Sequence, residues 1–164
     1  YSNKKKNNIM KKLIFFFILL NLNIEIFAEE IYGISNVTDG DTLKISNNKI
    51  RLHGIDAPEK NQKRIKNKKE YNCGVISTKA LINKINKSVV KCVVQKNKDR
   101  YNRFIGVCFT GKVNLNKWMV RNGNAIAYKR YSKDYISDEE FAKTNKLGLW
   151  SGTFLKPEKW RKLN

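Results

Sequence analysis

The feature that most constrains the fold is the stretch of residues 37–59, where two runs of alternating apolar and polar side chains flank a polar break. Leu43 and Ile45 mark the first run, Ile50 and Leu52 the second, and Ser46, Asn47 and Asn48 lie between them. Period-two alternation around a short polar break is the pattern of a β-hairpin with one buried face. The hairpin carries acids at its ends, Asp39 and Asp41 before the first arm and Asp56 and Glu59 after the second, with Arg51 on the second arm. A strand continued through residue 55 would put Arg51, His53 and Ile55 on one face and Leu52 and Gly54 on the other. Carboxylates gathered at strand ends beside an arginine suit a hard cation meeting a phosphate. Each residue also has a plainer use: Asp39 and Asp41 around Gly40 can shape a turn, and Arg51 beside Asp56 can be a structural ion pair.

The later chain adds strands and helices without a βαβ rhythm. Residues 30–37 read as a first strand, and residues 59–71, rich in Lys and Arg and poor in apolar side chains, as a mobile basic loop. Residues 74–86 carry a helical pattern at Val75, Ile76, Ala80, Leu81, Ile82 and Ile85. Two strand-like runs around Cys92 and Cys108 follow, joined by a polar loop containing Asp99 and Arg103. Asn114 caps a helix over residues 115–122 that Gly123 ends, and residues 125–128 are extended. Ser137 and Glu140 have capping-box spacing for a helix running to residue 146, and the aromatic tail packs back on the body. One domain over residues 29–164 is expected: an α+β fold, a five-stranded β-barrel of the OB kind with about three helices added.

Residues 1–28 read as a leader. Met10 is a plausible start, the apolar run 13–20 follows two lysines, and Ala28 precedes two glutamates, as in a signal peptide cleaved near that point. The apolar run is too short to span a bilayer, so a secreted or periplasmic protein with no stable membrane partner is expected. In an oxidising compartment cysteines pair. With the later hairpin centred near residue 100, Cys92 and Cys108 fall opposite each other and are expected to form a disulfide, the alternative being two reduced core cysteines. Cys73 is then left alone. The 34 Lys and Arg against 14 Asp and Glu give a net charge of +20, which points to a polyanionic partner, although a Lys-, Asn- and Ile-rich composition can raise charge without selection for binding. No helix has the amphipathic pattern of a membrane-surface protein.

Four motifs in order, Asp39-Gly40-Asp41-Thr42, the run from Arg51 to Glu59, Asp99-Arg100-Tyr101-Asn102-Arg103 and Tyr128, resemble the staphylococcal nuclease (thermonuclease) family, in particular its exported bacterial members. The resemblance extends from residue 37 to about residue 160. It implies a Ca²⁺-dependent phosphodiesterase acting on single-stranded DNA and RNA as a monomer and leaving 3′-phosphates. By position it implies that Asp41, Asp56 and the Ala57 carbonyl hold Ca²⁺, that Glu59 is the general base, and that Arg51 and Arg103 grip the scissile phosphate. Tyr101, Tyr128 and Arg100 would contact the nucleotide. Where the family often has threonine this chain has Ala57, and Asn102 replaces a usual turn glycine, with asparagine the next residue most able to take positive φ. A catalytically silent nucleic-acid-binding domain on the same barrel is the alternative; such a binder would have no need to keep Glu59 and two further carboxylates beside an anionic ligand.

Overall fold

A computed structural model describes residues 29–164; the leader expected over residues 1–28 lies outside the described residues. The chain forms β1 (Glu29–Asp39), β2 (Thr42–Ile45), β3 (Asn48–Leu52), β4 (Ile55–Asp56), β5 (Lys63–Lys66), β6 (Lys69–Asn72) and α1 (Cys73–Ile85). It continues as β7 (Val89–Val94), β8 (Phe104–Thr110), β9 (Val113–Asn114), α2 (Leu115–Arg121), β10 (Ile126–Ala127) and α3 (Ile136–Thr144). A short 3-10 turn (Gly148–Ser151), β11 (Thr153–Phe154) and α4 (Pro157–Leu163) complete it.

The barrel is β3-β2-β1-β7-β8, antiparallel at each step, and it closes where β3 pairs in parallel with β8. This is the five-stranded barrel expected, with four α-helices among the described residues where about three were foreseen; the additional one is α4. Alternation fills the interior: Leu43, Ile45, Ile50, Leu52, Val90, Cys92 and Cys108 are all buried. Helices α1 and α2 plug the barrel with Leu81 and Ile85, and with Leu115, Met119 and Val120. Cys92 and Cys108 stand in register and are bridged, their Cα atoms 4.0 Å apart; Cys73 is free and buried.

Four local expectations are corrected. First, β3 stops at Leu52, because Gly54 turns at φ 72°. The assumed alternation through Ile55 therefore breaks, and Ile55 and Asp56 are both buried against β10. Second, residues 63–72 are not a mobile loop but the hairpin β5–β6, extended into a three-stranded sheet by β11. Its turn places Asn67 and Lys68 both at positive φ, the conformation of a tight hairpin turn. The backbone ladder, a Lys63–Glu70 ion pair and the Arg64–Ser151 hydrogen bond hold it without an apolar core of its own.

Third, the buried stripe of α1 is Cys73, Ser77, Leu81 and Ile85 at intervals of four, and Ile76 and Ile82 face outward. Asn72, whose side chain accepts from the Val75 amide, caps it. Fourth, Ser137 does not cap α3. The helix begins at Ile136 after Tyr135 with no side-chain cap, and Glu139 is drawn inward instead. Asn114 does cap α2 as expected, accepting from the Lys117 amide.

Candidate active site

The hairpin register builds the first half of the site. Thr42 lies opposite Arg51 across β2–β3, so the guanidinium reaches Asp41 one residue before the strand: Nη1 is 3.0 Å from Asp41 Oδ1, and Nη2 is 3.1 Å from Asp56 Oδ1. Burial opposes the charge on Arg51, but Asp41 and Asp56 outweigh it and hold its pKa above the ordinary value. Asp41 makes two further contacts: Oδ1 also accepts from Thr42 Oγ1, and Oδ2 accepts from the Ala57 amide at 3.1 Å. Behind it, Asp39 accepts from the Asp41 amide. Burial, and then the Asp41 charge, push the Asp39 carboxyl up to about 6.

Barrel closure brings in the second half. Arg51 pairs with Ile105 in the parallel β3–β8 ladder, so Arg103, just before β8, arrives beside the same strand ends. Asp99 fixes it. Its Oδ1 accepts from the Tyr101 and Arg103 amides, and its Oδ2 takes the Arg103 Nε and Nη2 at 2.9 and 2.7 Å. Burial works against the Asp99 charge, but the Arg103 hydrogen bonds prevail and lower its pKa. Asn102 has φ 59°, the positive φ foreseen, and closes the turn through its amide to the Asp99 carbonyl. Arg103 Nη1 then lies 3.5 Å from Thr42 Oγ1, which links the two arginines through Thr42 and Asp41. Tyr101 is exposed, with Arg100 and Arg103 guanidinium carbons 4.8 and 5.2 Å from its ring centroid.

The opposite wall carries Asp56, Glu59 and Tyr128. β10 pairs with β4, Ile126 facing Asp56, and the Tyr128 amide donates to the Gly54 carbonyl. Burial raises the phenol pKa of Tyr128, and Glu158 and Asp56 add to it. The Asp56 side chain has no exposure, and burial keeps its pKa high even though Arg161 and Arg51 draw it down. Glu59 is part-exposed, and its main chain is seated by buried Gln62, whose Oε1 accepts from the Glu59 amide and whose Nε2 donates to the Leu155 carbonyl at 2.6 Å. Beneath it Gly74 is obligatory, since a Cβ there would collide with the Glu59 carbonyl oxygen.

All the residues expected from the sequence therefore gather at one end of the barrel, with one difference in contact: Ala57 meets Asp41 through its amide. Four residues went unforeseen. Arg161 of α4 reaches back to Asp56 and Glu59, 2.9 Å from each through Nη1. Asn116 accepts from the Cys108 amide and donates to the His53 and Gly106 carbonyls. Glu139 accepts from the Ala127 amide and from Lys129, steadying the strand before Tyr128. Gln62 is the fourth. A Pro at the first turn of a helix was the one signal for α4; an arginine among many basic tail residues gave none.

For a cation, the donor chemistry is right: Asp41 and Asp56 are hard oxygen donors that share Arg51. Among the described residues no three His, Cys, Asp or Glu side chains converge as a ready ligand cluster.

Comparison with known proteins agrees with this geometry. Residues 49–152 match the family described as staphylococcal nuclease homologue. The succinoglycan biosynthesis protein ExoI of Rhizobium meliloti is 36% identical over 127 residues, covering 75% of this chain and 66% of that one. An uncharacterized endonuclease of Haemophilus influenzae is 36% identical over 137 residues, 79% of this chain and 71% of that one. A micrococcal nuclease of Shigella flexneri is 29% identical over 163 residues, 88% of each. With the barrel, its closure and both arginine-bearing hairpins in place, the chain belongs to the staphylococcal nuclease family.

Proposed function

We propose that this protein is an exported, Ca²⁺-dependent nuclease that hydrolyses phosphodiester bonds in single-stranded DNA and RNA. The observation that carries the reading is the convergence of Arg51 and Arg103, from two separate hairpins, through Asp41 and Thr42. A phosphodiester gains charge on its equatorial oxygens as water attacks, and a guanidinium offers a planar fork of donors to two of them at once. Arg51 and Arg103 bind and polarise the phosphate. Glu59, part-exposed at the mouth, takes the proton of the attacking water, and the bond to the 5′-oxygen breaks to leave a 3′-phosphate. Asp41, Asp56 and the Ala57 carbonyl would hold the Ca²⁺, which supplies further positive charge to the phosphate. Tyr101 and Tyr128 receive the nucleotide, and Arg100 stiffens Tyr101 through its hydroxyl at 2.8 Å. Stacking on tyrosine is indifferent to base, which suits a substrate range spanning DNA and RNA.

The test is incubation of the protein with single-stranded DNA and with RNA in Ca²⁺ or in EGTA. Cleavage in Ca²⁺ alone is expected, and Glu59→Gln should lose at least ~10²-fold in rate while still retarding DNA in a gel. Absence of Ca²⁺-dependent cleavage would refute the reading, and undiminished turnover by Glu59→Gln would remove Glu59 from the base role.

A further inference from the structure

The acidic wall of the site already holds a cation belonging to the chain itself. Arg161 projects from α4 with Nη1 2.9 Å from Asp56 Oδ1 and 2.9 Å from Glu59 Oε1, and Nη2 3.2 Å from Asp56 Oδ2. A carboxylate has about four lone-pair positions. On Asp56 these are taken by Arg51 Nη2 and Arg161 Nη1 on Oδ1, and by Arg161 Nη2 and the Glu158 amide on Oδ2. Nothing is left for a further ligand unless a present one departs. Arg51 is the more deeply enclosed of the two arginines, its side chain 18% exposed against 32% for Arg161, and it is anchored a second time on Asp41. Arg161 is the one free to leave.

The helix that carries Arg161 is attached accordingly. Of the seven residues of α4 only Pro157 is buried, and Leu163 is exposed. Trp160 is half-buried, and the polar ties are Glu158 to Asp56 through its amide, a 3.9 Å approach of Arg130 to Glu158, and the fork of Arg161 itself. With one buried and one half-buried apolar side chain in seven residues, the helix leans on its ionic anchor to hold its place.

Resting on the cation-dependent reading above, we propose that Arg161 is a resident counter-cation that competes with the divalent ion for Asp56, so that loading of the ion releases Glu59 and α4. Guanidinium and Ca²⁺ draw on the same oxygen lone pairs, and occupancy by one excludes the other. The exchange also frees Glu59, whose Oε1 is occupied by Arg161 until the fork departs. Cation loading thus prepares metal site and base together.

Competition makes a prediction that a merely structural strap does not. Removing a strap weakens both folding and binding; removing a competitor strengthens binding, because the apparent affinity of a site is lowered by the fraction of molecules that keep it closed. The experiment measures Ca²⁺ binding by calorimetry to the wild-type protein, Arg161→Gln and Arg161→Lys, and amide exchange of residues 157–163 in the wild type with and without Ca²⁺. The glutamine variant should bind Ca²⁺ at least ~10-fold more tightly, and lysine, which keeps charge but not the fork, should fall between. Exchange in α4 should quicken on adding Ca²⁺. Equal or weaker affinity in the variants, or unchanged exchange in the wild type, would overturn the proposal while leaving a Ca²⁺ site intact. No Ca²⁺ binding by any of the three would overturn the cation-dependent reading and this proposal with it. The exchange measurement needs no substitution, so poor folding of a variant does not spoil the test.

Discussion

Replacing Asn116 with alanine tests how the barrel holds its site. The Asn116 side chain has no exposure, and three backbone groups depend on it: its Oδ1 accepts from the Cys108 amide at 3.0 Å, and its Nδ2 donates to the His53 and Gly106 carbonyls at 2.9 and 3.1 Å. Gly106 keeps a second partner, the His53 amide at 2.7 Å. The alanine variant therefore orphans the buried Cys108 N–H and the part-buried His53 C=O. A buried group left unpaired costs about 1–3 kcal/mol and a part-buried one less, so the loss is about 3 kcal/mol, a large share of the ~5–15 kcal/mol typical of a domain. Urea unfolding followed by tryptophan fluorescence measures it. Asn116→Asp sharpens the point, since it keeps the acceptor, turns the donor into an oxygen facing two carbonyls, and buries a charge. It should be less stable than alanine at pH 7 and recover towards pH 4, where protonation of the buried carboxyl favours the folded state. A loss below about 1 kcal/mol for Asn116→Ala, or an aspartate variant as stable as wild type at pH 7, would show that these hydrogen bonds do not brace the turn leading to Asp56.

Other consequences are equally open to measurement. Asp99→Asn loosens the anchor of Arg103 without touching substrate, and cleavage should slow by about 10–100-fold with the fold intact by circular dichroism; an unchanged rate would mean that Arg103 needs no such support. Asp39 has a folded pKa near 6, above its unfolded value of 3.8, so the folded state binds the extra proton between those pH values. Stability from this group is therefore present at low pH and lost as pH rises through about 6. Asp39→Asn should flatten that fall and stabilise the protein at pH 7 by up to about 3 kcal/mol; an unaltered slope would contradict it. Replacing both Cys92 and Cys108 by alanine opens a crosslink between residues 16 apart and should cost about 3 kcal/mol in the chain-entropy account. Under denaturing, non-reducing alkylation one thiol, that of Cys73, should be labelled; three would dismiss the bridge.

The barrel was legible because its interior is written in period two. Leu43, Ile45, Ile50 and Leu52 alternate cleanly, and the symmetric spacing of Cys92 and Cys108 about their loop fixed the register of the second hairpin. The site was legible where it lies within a few residues of those strands. What stayed hidden depends on backbone groups or on contacts distant in sequence. The β5–β6 hairpin is held by main-chain ladders that leave no apolar signature. Ser137 matched a capping pattern, but burial of Glu139 against the Ala127 amide and two lysines satisfied more groups than a cap would. Gln62 and Asn116 act through carbonyls and amides, to which composition is blind. Arg161 serves by its position on a helix that reaches Asp56 across about a hundred residues of chain.

The parallel pairing of β3 with β8 has a kinetic meaning. Ile50 meets Phe104, and Arg51 meets Ile105, across a long stretch of chain, and such distant pairings form late because the entropy of closing so long a loop precedes any reward. The two arginines are joined by that step and no earlier one. Refolding should therefore restore secondary structure and the second hairpin first, and hydrolysis only in the slowest phase. No proteolytic fragment that ends before residue 104 should hold any activity, however well it folds.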